Sequence, residues 1–268
     1  MATQNNNQKG YALITGATRG IGYELAKVFA QNGYNLITVA RSSDELQSKS
    51  EEISSQNSVE VIPIAKDLFN ANAASELYEE VKAKGIEVNV LVNDAGQGVY
   101  GPFIETDLQR QLQIIQLNVV SLTALTYLFL KDMVARNEGK ILQLGSVVSE
   151  LPATLQSVYG GTKAYILSFT EALISEVKDT DVTLTVLQPG VTDTDFFNKA
   201  GAQNSKLAED KSKMSDPADV AKDAYKALMK GDDKVVSGFK NKVQVAMGNV
   251  MPDTMLADQM KKQSEESK

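Results

Sequence analysis

Short apolar runs of five or six residues alternate with amphipathic stretches along most of the chain. Residues 11–15, 35–39, 59–64, 88–92, 140–144 and 182–187 are rich in β-branched side chains and show no polar alternation. A strand with one wet face alternates apolar and polar positions, so these runs predict parallel strands covered on both faces. Between them, apolar positions at helical spacing predict helices over 20–32, 43–56, 71–84, 107–136 and 156–178. Asp216 before Pro217 offers an N-cap with proline at the first helical position, which predicts a further helix over 216–229. Residues 234–236 form a short candidate last strand.

Repetition of strand and helix at this spacing implies right-handed crossovers and an α/β fold. The expectation is one doubly wound, Rossmann-type parallel sheet of about seven strands with helices on both faces. Residues 1–9 read as a flexible N-terminus, 10–240 as one Rossmann-type domain and 241–268 as a helical C-terminal tail. The tail carries Met247, Met251, Met255 and Met260 in a weakly amphipathic pattern, while 190–215 is polar and loop-like around Phe196 and Phe197.

Composition narrows the chemistry. The 268 residues include no histidine, cysteine or tryptophan. Ser-His-Asp and Cys-His nucleophilic sites, Cys/His zinc sites and disulfides are therefore excluded. An acid or base working near neutral pH has to be a carboxylate, a lysine or a tyrosine. No metal site is expected, although carboxylates leave an all-oxygen site open. The net charge of −7 argues against duplex nucleic acid as a partner. No run of about 18 to 20 consecutive apolar residues predicts a membrane span, and the polar start lacks an apolar signal core. A cytoplasmic protein is expected.

The first run leads directly into Gly16, Ala17, Thr18, Arg19, Gly20, Ile21 and Gly22. Glycines there permit a tight turn and close backbone approach, and the helix N-terminus that follows favours a diphosphate. The segment alone also reads as an ordinary turn and helix entry; its place after the first strand favours a dinucleotide. An NAD site would want a carboxylate about 20 residues further on. Arg41 and Ser42 stand there instead. Arg41, with Arg19 in the loop, suits a 2′-phosphate, so NADP(H) is expected in preference to NAD(H). Asp67 and Leu68 after the third strand, and Asn93, Ala95 and Gly96 after the fourth, are candidate contacts to the adenosine.

Tyr-x-x-x-Lys occurs at Tyr23/Lys27, Tyr78/Lys82, Tyr127/Lys131 and Tyr159/Lys163. Each pair shares a helix face, so the spacing alone says little. Tyr159 alone has a serine thirteen positions upstream, Ser146, at the end of the fifth strand. Asn118 lies a further 28 residues back.

The glycine loop, Asn93 to Gly96, Asn118, Ser146, Tyr159, Lys163 and Pro189-Gly190, in this order, resemble the short-chain dehydrogenase/reductase family over roughly residues 10–240. The surroundings of these motifs resemble an NADP(H)-preferring, bacterial-type subgroup of carbonyl reductases. Asp94 departs from the family, which usually has a second asparagine there. The resemblance implies Tyr159 as general acid in reduction and base in oxidation, and Lys163 as ligand of the nicotinamide ribose. It implies Ser146 as the group polarising the substrate oxygen, and Asn118 as support for a water path to Lys163. It also extends the cofactor contacts to Pro189, Gly190 and Thr192. A lysine ammonium about 4 Å from a phenol is worth roughly 4 kcal/mol in an effective dielectric near 20. That is about three pKa units, enough to bring the tyrosine toward neutrality, and the absence of histidine assigns a near-neutral midpoint to Tyr159 coupled to Lys163.

Residues 190–215 fall where the family has its substrate lid. Tyr100, Val147, Leu151, Pro152, Phe196, Phe197 and Leu207 are candidate apolar walls, pointing to a ketone or aldehyde. The family's helical interface implies a homotetramer or homodimer. The expected activity is NADPH-dependent reduction of a carbonyl to an alcohol. The alternatives are an NADP-dependent alcohol or hydroxysteroid-type dehydrogenase working toward oxidation, and an NADP(H)-sensing protein without catalysis.

Overall fold

The computed structural model describes residues 9–209, 212, 214–248 and 253–264. Strands β1 (Tyr11–Thr15), β2 (Asn35–Ala40), β3 (Val61–Ala65), β4 (Val88–Asn93), β5 (Gly139–Leu144), β6 (Val182–Gln188) and β7 (Lys234–Val236) form one sheet. Their order is β3-β2-β1-β4-β5-β6-β7 and every pairing is parallel. The chain changes its winding direction between β1 and β4, and at such a switch point the crevice beyond the carboxyl ends of the strands binds ligands.

The helices are α1 (Gly20–Gln31), α2 (Ser43–Asn57), α3 (Ala73–Ala83), α4 (Leu108–Ile115), α5 (Leu122–Ala135) and α6 (Ser157–Glu176). Beyond β6 come α7 (Phe196–Ala200), α8 (Lys206–Glu209), α9 (Pro217–Lys230), α10 (Phe239–Gly248) and α11 (Asp253–Ser264). Successive strand side chains point to opposite faces, and that alternation divides the core. Ala12 and Ile14 join Leu25 and Phe29 of α1 and Val220 and Leu228 of α9 in one layer. Leu13, between them, joins Leu77 of α3 and Leu125 and Phe129 of α5 in the other. Continuous apolar strands follow from this double cover.

Asp216 caps α9, accepting from Ala218 N at 2.8 Å, with Pro217 opening the helix. The stretch expected as one helix over 107–136 is interrupted by a π turn at Gln116–Ser121. Such turns are rare and are frequently found at functional sites; this one holds Asn118. As one helical stretch, Leu108–Ala135 is long and apolar enough to cross a membrane by length and composition. In this fold its Leu117, Leu125, Phe129, Leu130 and Met133 are buried against the sheet. The segment over 190–215 is less loop-like than its polarity suggests, since it contains α7 and α8.

The tail folds back on the domain. Val245, Leu256 and Met260 form a small core with Val147 and Leu151, while Met247 and Met255 are exposed. Residues 1–8, Met251 and the side chain of Leu207 lie outside the described residues.

Candidate active site

A cavity of about 850 Å³ runs along the carboxyl ends of the strands. At one end it is lined by Gly16, Thr18, Arg19, Gly20 and Ile21. Gly16 and Gly20 have φ of 75° and 59°, in the left-handed region that favours glycine. Gly16 N donates to Val39 O at 2.8 Å, which draws the loop over the sheet edge. Gly22 does not line the cavity. It is packed behind the loop, where an added Cβ would stand 2.4 Å from Asp94 Oδ2 and 2.5 Å from Gly16 O.

The two arginines differ. Arg19 Nε donates to Glu45 Oε1 at 2.6 Å and its Nη1 to Asp195 Oδ2 at 3.2 Å. Arg41 lies 5.1 Å over the ring of Phe69 and makes no hydrogen bond or ion pair among the described residues. It lines the cavity with Ser42, Asp67, Leu68 and Phe69. Asp67 Oδ1 accepts from Phe69 N at 3.1 Å, and Leu68 O accepts from Ser121 Oγ at 2.6 Å, so this rim is held by one local bond and one to the π turn.

At the end of β4, Ala95 and Gly96 line the cavity, but Asn93 does not. Its Nδ2 donates to Thr126 Oγ1 and Gln143 Oε1, both at 3.1 Å, because β-strand alternation turns it into the core. The Asn93 side chain is therefore structural, turned away from the cavity where the cofactor contact was expected. Asp94, the next residue, faces the cavity and the underside of the glycine loop. Its Oδ1 is buried without a hydrogen-bond partner. Burial pushes its carboxyl up to about 7, against the pull of the Lys163 ammonium and of the Gly22 N–H.

Ser146 and Tyr159 line the middle of the cavity. Ser146 sits at the end of β5 and caps the turn Val147–Ser149: its Oγ accepts from Val148 N at 3.3 Å. Its hydroxyl proton is left to point elsewhere. Lys163 and Asn118 are buried behind the cavity wall. Lys163 Nζ donates to Leu144 O at 2.5 Å and lies 5.6 Å from the centre of the Tyr159 ring. Asn118 accepts from Gln97 N at 3.1 Å and donates to Gln97 O at 2.9 Å and Thr162 Oγ1 at 3.0 Å.

The other Tyr-x-x-x-Lys pairs take acidic partners or solvent. Tyr23 donates to Glu52 and Lys27 to Glu24, Tyr78 and Lys82 share Asp132, and Tyr127 is exposed. Of the four pairs, Tyr159/Lys163 alone places its tyrosine on the cavity, and among the described residues neither member has an acidic hydrogen-bond or ion-pair partner. Their electrostatics correct one expectation. Burial pushes the Tyr159 phenol up to about 12, with Ser146 drawing it down and Asp94 adding to the rise. Burial also pulls Lys163 down to about 8, with Asp94 opposing. Without histidine, the groups with near-neutral values here are Asp94 and Lys163 rather than Tyr159.

Pro189, Gly190 and Thr192 after β6 also line the cavity, and Thr192 Oγ1 donates to Gly190 O at 3.0 Å. At the far end stand Val147, Val148, Phe196 and Phe197. The Phe196 ring lies 5.0 Å from that of Tyr159. Tyr100, Leu151 and Pro152 are not on the cavity. Tyr100 N ties its loop to Ala200 O at 2.9 Å, and Leu151 is buried under α10 and α11. The tail itself supplies Lys240, Asn241, Gln244 and Met260 to the rim. Sequence reasoning missed these, together with Glu45, Phe69 and Asp195; only the weak apolar pattern through Met260 hinted at the tail. Among the described residues no cluster of acidic side chains could hold a metal ion. The loop, the helix N-terminus and the unpaired Arg41 together fit a phosphorylated dinucleotide.

The short chain dehydrogenase family model matches residues 10–205. A Haemophilus influenzae protein named "Probable NADP-dependent dehydrogenase" is 34% identical over 189 residues, 70% of this chain and 73% of that one. A very-long-chain 3-oxoacyl-CoA reductase of Aspergillus fumigatus is 32% identical over 182 residues, and the match spans 66% of this chain but only 52% of the reductase. A structure of a short-chain dehydrogenase from Sphingobium yanoikuyae in complex with NADPH shares the fold, with TM-score 0.79 and 23% identity over 91% of this chain and 96% of that one. With a family model matched across most of its length and a seven-stranded parallel sheet to carry the site, the chain belongs to the short-chain dehydrogenase family of oxidoreductases.

Proposed function

We propose that this enzyme reduces a ketone or aldehyde to an alcohol, using NADPH and Tyr159 as the proton donor. The observation that carries the reading is the placement of Tyr159 and Ser146 on one cavity wall with Lys163 buried behind them. Bound NADPH supplies the hydride. Burial keeps the Tyr159 phenol protonated at neutral pH, which suits delivery of a proton to the carbonyl oxygen. The Ser146 hydroxyl, anchored through Val148 N and interacting with the Tyr159 phenol, is placed to donate to the same oxygen and orient it. Lys163 is positioned by Leu144 O, and Asn118 locks the strand-end loop and α6 around it.

Arg41 supports NADP(H) over NAD(H), since an unpaired guanidinium stands where an NAD site would want a carboxylate. Val147, Val148, Phe196 and Phe197 support a substrate with an apolar body around its carbonyl. Leu112, Ile115, Val120 and Tyr127 are exposed along α4, the π turn and α5, and this apolar face supports a homodimer or homotetramer. The net charge of −7 argues against a nucleic-acid partner, and the proposed setting is the cytoplasm.

The test is a panel of aldehydes and ketones with NADPH, followed by cofactor absorbance. Tyr159→Phe is expected to lower kcat by about 10²-fold or more while NADPH still binds. NADPH binding without turnover of any member, or turnover indifferent to Tyr159→Phe, would overturn the reading.

A further inference from the structure

We infer that Asp94 couples the binding of a dinucleotide phosphate to the uptake of a proton. The inference rests on the cofactor reading above and adds a residue to it. A carboxylate is an unexpected group at this place. Its Oδ2 lies so close to the glycine loop that an added Cβ would come within 2.9 Å of it at Gly16 and 2.4 Å at Gly22. Its backbone is held there by Thr15 Oγ1, which accepts from Asp94 N at 3.1 Å and Ala95 N at 3.0 Å. Its Oδ1 is buried and unpartnered. The N–H groups and helix end that draw a diphosphate therefore have an acid directly beneath them, and two anions on either side of one loop repel.

The surroundings leave few ways to relieve that repulsion. The glycine loop and α1 present Arg19, which is committed to Glu45 and Asp195. The π turn presents Asn118 and the end of β5 presents Ser146, neither of which titrates. At the end of β3, Lys66 pairs with Glu76 and Glu80, and Asp67 bonds its own turn; Arg41 stands further along the rim over Phe69. From α6 come Tyr159 and Lys163, and a Cβ on Gly96 would lie 3.6 Å from Lys163 Nζ and 3.7 Å from Asp94 O. The Asp94 carboxyl and the Lys163 ammonium also act on each other electrostatically, each opposing the shift that burial imposes on the other. With Asp94 near 7 and Lys163 near 8, the pair carries a net positive charge in mild acid, none between the two values, and a negative charge above both. A polyanionic cofactor binds the protonated pair best, so binding takes up a proton as pH rises past neutrality.

The experiment uses the full chain and NADPH, read by cofactor fluorescence and by calorimetry, with no substrate. At pH 7.5 the wild type is expected to take up a measurable fraction of a proton, seen as a heat of binding that depends on the buffer's ionisation enthalpy. Asp94→Asn, nearly isosteric, is expected to match the wild type at pH 6 and to bind NADPH roughly tenfold tighter at pH 9, where only the wild type retains the buried anion. Ionisation of the 2′-phosphate, centred near about 6, is common to both proteins and cancels in the comparison. Parallel affinity profiles for the two proteins, or no proton uptake by the wild type at pH 7.5, overturn this inference alone. Absence of NADPH binding by either protein at every pH overturns the cofactor reading with it.

Discussion

Asn118 in the π turn and Thr162 in α6 are joined by a buried hydrogen bond of 3.0 Å, and Thr162 Oγ1 in turn donates to Tyr159 O at 2.7 Å. The bond ties the irregular turn to the helix that carries Tyr159 and Lys163. The rest of the Asn118 amide is spent on both backbone groups of Gln97, so one side chain in the irregular turn joins three segments. Asn118→Ala leaves the Gln97 amide and carbonyl buried without partners and is expected to cost about 2–3 kcal/mol. Thr162→Val removes one partner of the Asn118 amide, which keeps Gln97 O, and is expected to cost about 1 kcal/mol. Urea denaturation measures both, and equal losses would contradict this assignment of the bonds.

Arg41 and Arg19 are expected to contribute unequally to NADPH affinity. Arg41 lies over the Phe69 ring without an acidic partner among the described residues, whereas Arg19 is already shared between Glu45 and Asp195. Charge-assisted hydrogen bonds contribute about 1.5–3 kcal/mol, so Arg41→Ala should weaken NADPH by roughly ten- to a hundredfold and leave NADH nearly unchanged. Arg19→Ala should cost less, and Glu45→Gln should tighten NADPH by releasing Arg19. Titration of both cofactors against the three variants decides it.

Asp94 also gives a pH signature without any ligand. Its folded value of about 7 is raised above the ordinary carboxylate range, so the neutral form is the one that favours folding. Its stabilising contribution is complete below about 4, the unfolded value, and is lost as pH rises through the folded one. Asn stands in for the neutral acid. Asp94→Asn should therefore raise Tm at pH 8 and leave it unchanged near pH 4. A Tm difference that stays constant across that range would remove the carboxylate from the account.

Gly22→Ala tests the packing behind the loop. The new methyl would stand 2.4 Å from Asp94 Oδ2 and 2.5 Å from Gly16 O, and backbone there cannot give way without moving the turn. The expected cost is about 1–3 kcal/mol, with loss of NADPH binding beyond what the stability change explains. Gly161→Ala, with open space around its added Cβ, is the control and should bind normally.

Much of this protein was legible in one dimension. The bounds of β1 and β7 follow the apolar runs, and the Asp216-Pro217 start of α9 follows its capping chemistry, because burial on both faces and helix entry are imposed locally. The glycine loop, Ser146, Tyr159 and Lys163 stood out by order and spacing, since the parallel topology brings the carboxyl ends of consecutive strands to one edge. Tertiary structure decided the rest. Strand alternation sends Asn93 into the core and leaves Asp94 at the cavity, a distinction a motif of adjacent residues does not contain. The folding back of α10 and α11 buries Leu151 and brings Lys240 and Met260 to the rim, by contacts about a hundred residues apart in the chain. The sequence specified which ionisable groups exist, with no histidine among them. Burial, the largest cause at each group, decided together with their mutual charges that Asp94 and Lys163, rather than Tyr159, have values close to neutrality, because the cost of charge depends on what surrounds it in space.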